Sequence, residues 1–138
     1  MSRALLDLNV VLDVLFARTP YVKEASVVFA KVETGEIEGC VAAHTITTLH
    51  YLAAKRHGRT KCRELILDVL KLFDIVPVDE DRLRRAVEMN WKDFEDAVQA
   101  ACAEAVAADY LVTRDKKGFR AAMVDVVSPG ELVALLQS

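Results

Sequence analysis

Asp93-Phe94-Glu95-Asp96-Ala97-Val98-Gln99, an alanine-rich run, and then Asp109-Tyr110-Leu111-Val112-Thr113-Arg114-Asp115 form the stretch whose reading decides the fold. Asp93 and Asp96 are three residues apart and share one face of a helix. Phe94, Val98, Ala101, Cys102 and Ala105 mark another face, suited to packing. The alanines between 97 and 108 keep this helix thin enough to lie close against a neighbour. Residues 109–113 read as a short buried strand. In open α/β sheets ligands sit outside the carboxyl ends of the strands. Thr113 and Asp115 fall at such an end.

Outward from there, the same grammar repeats. Ala4-Leu5-Leu6 is a first strand with Asp7 at its C-terminal edge. A helix follows over 10–18, with Asn9 as a plausible cap. Pro20 starts a second helix that Gly35 stops. Residues 37–42 are a second strand, and His44 or Thr45 opens a third helix running to Gly58. A fourth runs from about Arg59 to Phe73. Ile75-Val76-Pro77-Val78 is a short strand, which Pro77 assigns to an edge. Asp79 caps a fifth helix. After the 93–113 stretch come a helical turn over 116–123, a last strand over 124–127, and a helix started by Ser128-Pro129. Strands alternate with helices throughout, which predicts an α/β fold with a mostly parallel sheet of four to five strands. The 138 residues suit one domain over 1–138.

Composition excludes several classes. At 53% hydrophobic residues the chain can bury a core and is not a disordered segment. It has no apolar run long enough to span a bilayer and no signal-peptide h-region, so a cytoplasmic location is expected. Cys40, Cys62 and Cys102 are odd in number and widely spaced, which argues against a disulfide framework or a zinc site. The net charge of −3 is unlike that of most nucleic-acid binders. The cations are nevertheless grouped, at 55–63, at Arg82, Arg84 and Arg85, and at Arg114, Lys116, Lys117 and Arg120. Such groups are either solvated helix ends or a phosphate-contacting rim, for which Lys55, Arg56, Arg114 and Lys116 are the candidates.

The acids carry the chemistry. If the first strand and the 109–113 strand are parallel neighbours, Asp7 and Asp115 share one end of the sheet. A helix that feeds a strand through a short link has its N-terminus at the end where that strand exits. That adds Asp96, with Asp93 beside it. Crowded carboxylates must protonate or bind a cation, and hard oxygen donors suit Mg²⁺ or Mn²⁺. Each acid taken alone could equally be a helix cap or a solvated charge.

The opening Leu5-Leu6-Asp7-Leu8-Asn9-Val10-Val11-Leu12-Asp13, the Asp93-Phe94-Glu95-Asp96-Ala97 helix start and Val112-Thr113-Arg114-Asp115-Lys116-Lys117-Gly118-Phe119 together resemble the PIN-domain family, and more closely its toxin-like VapC members. The resemblance spans essentially the whole chain. It implies a three-layer α/β/α fold and a ribonuclease that uses Mg²⁺ or Mn²⁺ to hydrolyse RNA phosphodiesters. It also implies a homodimer and a small antitoxin protein that covers the acidic site. On it, Asp7, Asp96 and Asp115 look like the catalytic and metal-binding acids. Thr113 looks like a supporting hydroxyl, Asn9 like an orienting side chain, and Asp93 like an extra metal ligand or a cap. Most active members carry a Glu in the helix after the second strand. Here that helix reads His44-Thr45-Ile46-Thr47-Thr48-Leu49-His50-Tyr51-Leu52, with no acid. His50 lies nearest the expected register, with Thr47 the neighbouring alternative, and Asp93 could supply the absent charge. A catalytically impaired PIN-fold module that binds RNA or a protein partner is the other reading. A phosphorelay receiver fits less well, because no strand ends in the required Lys. An aspartyl phosphatase fits less well, because Asp7-Leu8-Asn9-Val10-Val11 lacks the second Asp and the Gly-Thr turn. Val28-Phe29 and Val69-Leu70 could serve partner contacts but are expected to be core.

Overall fold

A computed structural model describes residues 1–137. Among them lie five strands and seven α-helices. The strands are β1 (Arg3–Leu6), β2 (Glu38–Ala42), β3 (Asp74–Val76), β4 (Tyr110–Val112) and β5 (Asp125–Val127). The helices are α1 (Leu8–Leu15), α2 (Val22–Glu33), α3 (Ala43–His57), α4 (Arg59–Leu72), α5 (Glu80–Met89), α6 (Phe94–Ala105) and α7 (Pro129–Leu136). A 3-10 turn over Lys116–Phe119 follows β4.

The strands lie in the order β3-β2-β1-β4-β5, and every neighbouring pair is parallel. Alternation along β1 sorts the core into two layers. Ala4 and Leu6, with Val41 and Val112, pack under α1, α2, α3, α4 and α7. Leu5, with Cys40, Ala42 and Leu111, packs against α5 and α6. The result is the expected three-layer α/β/α sandwich. Burial of Ala97, Ala100, Ala101 and Ala103 brings α6 flat onto the sheet. Pro77 follows β3, which is an edge strand as expected.

From β1 the chain builds outward through β2 and β3, then returns to lay β4 on the other side of β1. The β1/β4 boundary is therefore the topological switch point, where an open parallel sheet leaves a crevice at its carboxyl edge. Asp7 closes β1 and Thr113 closes β4 at that crevice. The main chain ties the two ends together, since the Asp7 N–H donates to the Val112 carbonyl at 2.9 Å.

Some local expectations shift. Asp7, not Asn9, is the N-cap of α1, because its Oδ1 accepts from the Leu8 N–H at 2.8 Å. The alanine helix ends at Ala105, and Ala105 and Phe94 are exposed rather than packed. Val28 and Val69 are core, as expected, whereas Leu70 is 44% exposed. The three cysteines are free and buried. Burial pushes the Cys40 and Cys102 thiols up to about 11, which keeps them unreactive. Among the described residues no helix is long and apolar enough to cross a membrane.

Candidate active site

Asp7 is 6% exposed and accepts three hydrogen bonds from neutral donors. Its Oδ1 accepts from the Leu8 N–H and from Gln99 Nε2 at 2.9 Å, and its Oδ2 accepts from Thr113 Oγ1 at 2.9 Å. Burial raises its pKa, and the bonds from Thr113 and Leu8 oppose that rise. Thr113 is fully buried, and its Oγ1 also accepts from the Asp115 N–H at 3.0 Å. One hydroxyl thus spaces Asp7 from Asp115.

Asp93 caps α6 by accepting from the Asp96 N–H at 3.1 Å, which fixes the first turn that presents Asp96. Burial, and then the charges of Asp93, Asp7, Asp115 and Glu95, push Asp96 up to about 7. Asp7, Asn9, Asp93, Asp96, Gln99 and Asp115 face a cavity of about 210 Å³. The structure thus brings Asp7, Asp93, Asp96 and Asp115 to one crevice, with Asn9 on its wall and Thr113 bonded to Asp7.

Three features bear on whether a divalent cation fits. The donors are hard oxygens, the type Mg²⁺ and Mn²⁺ prefer. A Cβ on Gly118 would stand 3.1 Å from both Asp96 Oδ2 and Asp115 Oδ2, so the glycine keeps open the space between those carboxylates. Gln99 is 3% exposed, and its Oε1 is buried with no hydrogen-bond partner beside the acids. A buried orphan acceptor at a polar cavity calls for a water or an ion's hydration shell. Among the described residues no three ligating groups already form a tight cage. Mg²⁺ usually keeps several waters and takes one or two carboxylates, so the arrangement fits a hydrated ion.

Other expected positions lie elsewhere. His50 is exposed on α3 and absent from the cavity wall. On α3, His44 lies near Glu95 of α6, and burial lowers its pKa. Lys55 and Arg56 are at the far end of α3. At 1.5 Å per residue they stand roughly 20 Å from its start at the sheet's carboxyl edge. Arg114 is held by Asp13, with Nε to Oδ2 at 2.8 Å and Nη2 to Oδ1 at 3.2 Å, and lies 3.9 Å over the Tyr21 ring. Lys116 is bound to both oxygens of Glu131, at 2.9 and 3.1 Å.

Sequence reading missed Gln99, Gly118 and Asp13. Gln99 had a signal, being one amide in an alanine run three residues after Asp96. Asp13 is fully buried between Arg18, at 2.8 Å, and Arg114, a pairing that no local pattern announces.

A family model described as a PIN domain matches residues 3–117. No curated protein matches the chain. Among solved structures, the chain is similar to a toxin-antitoxin complex from Klebsiella pneumoniae, with 27% identity over 91% of this chain and 97% of that one and a TM-score of 0.69. It is similar to FitAcB from Neisseria gonorrhoeae, with 24% identity over 92% and 98% of the two chains and a TM-score of 0.65. It also shares the fold of VapC20 from Mycobacterium tuberculosis, a Sarcin-Ricin loop cleaving toxin, with 16% identity over 89% and 98% and a TM-score of 0.71. The matched residues carry the switch point, the alanine helix and the acids at the β1 and β4 ends, and the chain belongs to the PIN domain family.

Proposed function

We propose that the protein is a metal-dependent ribonuclease and the toxin of a toxin–antitoxin pair. The observation that carries this reading is the gathering of Asp7, Asp96 and Asp115, with Asp93, around one cavity at the β1/β4 switch point. Mg²⁺ or Mn²⁺ held by these carboxylates would supply a nucleophilic water near neutral pH and offset charge on the phosphodiester. Asp7 is the anchored carboxylate, immobilised by three donors. Thr113 sets its distance from Asp115. Asp96 is the titrating member. Its raised pKa means the cluster holds a proton near neutrality until a cation displaces it. Asn9 lines the cavity, with its own Oδ1 accepting from Arg18 Nη2 at 3.2 Å. Gln99 keeps Asp7 oriented. A small antitoxin is proposed from the likeness to the Klebsiella toxin-antitoxin complex, and a homodimer from the resemblance to toxin-like members of the family.

The test is cleavage of a mixed-sequence panel of single-stranded RNAs with Mg²⁺ or Mn²⁺, with and without chelator. Cutting that chelator stops supports the nuclease. Cutting that persists in chelator would refute metal dependence. A second reading, an RNA- or protein-binding module without catalysis, is favoured by one feature: α3 supplies no carboxylate. Cation binding without cutting of any RNA in the panel would favour it.

Gln99→Leu is expected to slow single-turnover cleavage by about 10–100-fold, the usual loss when an outer-shell partner of a metal ligand is removed. Equal rates would reduce the Gln99–Asp7 hydrogen bond to a packing feature.

A further inference from the structure

The carboxylates of the crevice are left without cations, while the cations nearest to them in sequence are taken elsewhere. Asp7, Asp93, Glu95, Asp96 and Asp115 form no ion pair with any Lys or Arg among the described residues. The wall of the cavity that they line contains no cation. Yet Asp115 stands between Arg114 and Lys116 in the chain. Each of those two is held by an acid from outside that wall. Arg114 is held by Asp13 of α1 and lies over the Tyr21 ring. Lys116 is held by Glu131 in the first turn of α7, through both carboxylate oxygens. Lys117 and Arg120 line only the larger neighbouring cavity of about 960 Å³.

Lys116 opens the 3-10 turn in which Gly118 lies against Asp96 and Asp115, so its flexible stem has the crevice within reach. A free ammonium beside several uncompensated carboxylates is drawn to them. Bound there, it would occupy the oxygens that suit a cation and offset their charge. Glu131 is fixed in place independently of Lys116, because it belongs to the capping box of α7. Its Oε1 accepts from the Ser128 N–H at 2.9 Å, and its own N–H donates to Ser128 Oγ at 3.1 Å.

We propose that Glu131 is a positioning residue that holds Lys116 away from the crevice and so keeps its carboxylates free for a divalent cation. The inference rests on the metal-binding reading of that crevice. Fold stability does not account for the pair. Both side chains are 49% exposed, and an exposed pair of this kind contributes little to folding. Arg114 follows the same rule, but Asp13 is buried, and its loss would mix metal binding with unfolding. Glu131 is therefore the cleaner place for a test.

The experiment titrates Mn²⁺ calorimetrically into wild type, Glu131→Gln, Lys116→Met and the double variant. Glutamine serves the capping box as glutamate does, so Glu131→Gln removes only the charge that holds Lys116. A melting temperature equal to that of wild type checks this. Glu131→Gln is expected to bind Mn²⁺ about tenfold more weakly, the lower part of the range for loss of an outer-shell partner. The double variant is expected to regain wild-type affinity, because the competing ammonium is gone. Lys116→Met alone is expected to bind at least as tightly as wild type. Undiminished affinity in Glu131→Gln overturns the proposal. So does a double variant as weak as Glu131→Gln, which would make Glu131 a prop for the backbone. Crystals of Glu131→Gln grown without divalent cation give a readout independent of the metal. They are expected to show Lys116 Nζ within hydrogen-bond distance of Asp96 or Asp115, and Lys116 left in solvent overturns the proposal. If wild type takes no Mn²⁺ while Lys116 moves onto the acids in those crystals, the metal-binding reading falls and the hold of Glu131 on Lys116 stands. If wild type binds Mn²⁺ and Glu131→Gln binds it equally, the reverse holds.

Discussion

Asp7→Asn is expected to yield a folded protein that cleaves RNA about 10³-fold more slowly, in the range seen when one electrostatic element of an active site is lost. Asparagine fills the same volume and keeps one acceptor oxygen. It removes the charge that Leu8, Gln99 and Thr113 hold in place. Asp96→Asn is expected to lose activity to a similar degree, with an informative change in stability. The native protein holds the Asp96 proton up to about pH 7, whereas the unfolded chain releases it near 3.8. Between those values the native state binds more protons, so this group makes stability fall as pH rises from about 4 to 7. Above 7 the penalty is complete and constant. Without divalent cation, Asp96→Asn should therefore melt at a higher temperature than wild type near pH 7, and the difference should shrink toward pH 4. Thermal melts at three pH values check the sign, and single-turnover assays check the rate. An Asp7→Asn protein that cut as fast as wild type would remove Asp7 from the site.

Asp13→Ala is expected to cost about 2–3 kcal/mol of stability. Breaking a buried ion pair from one side costs roughly 3–5 kcal/mol. The lower figure is taken because the Arg18 and Arg114 side chains are 32% and 30% exposed and can recover some hydration. Asp13 ties α1 to the segment between Thr113 and Asp115, and through Arg18 it reaches Asn9. The same substitution should therefore lower cleavage as well. Urea unfolding at pH 7 measures the first effect. A loss under about 0.5 kcal/mol, the range of ordinary surface substitutions, would contradict the role given to Asp13.

The legible parts of the site are those set by local rules. A strand that ends in an acid puts that acid at the sheet edge whatever surrounds it. A helix that feeds a strand starts at the edge where that strand exits. The placement of Asp7, Asp96 and Asp115 follows from these two rules once β1 and β4 are neighbours, and the parallel sheet follows from the alternation of strands with helices. Positions set by distance along a helix or by remote partners were not legible. His50 is placed by its register against the family's Glu, and Lys55 and Arg56 by their grouping in sequence, but on α3 His50 is exposed and outside the cavity wall, and the helix carries Lys55 and Arg56 away from the edge. Arg114 looked like a free cation because Asp13, its partner, lies 101 positions earlier. Phe94 read as a packing residue from its helical spacing. At the first turn of α6 it instead stands beyond the sheet, where no core covers it.

The central claim, that the carboxylates at the β1/β4 crevice hold a divalent cation, is tested most directly by calorimetric titration of Mn²⁺ into the protein at pH 6, 7 and 8. Competition with the Asp96 proton predicts binding that releases a proton and weakens by up to tenfold per pH unit below about 7. Asp96→Asn should bind more weakly and lose that pH dependence. Absence of binding at pH 8, or Asp96→Asn affinity equal to wild type, would contradict the claim.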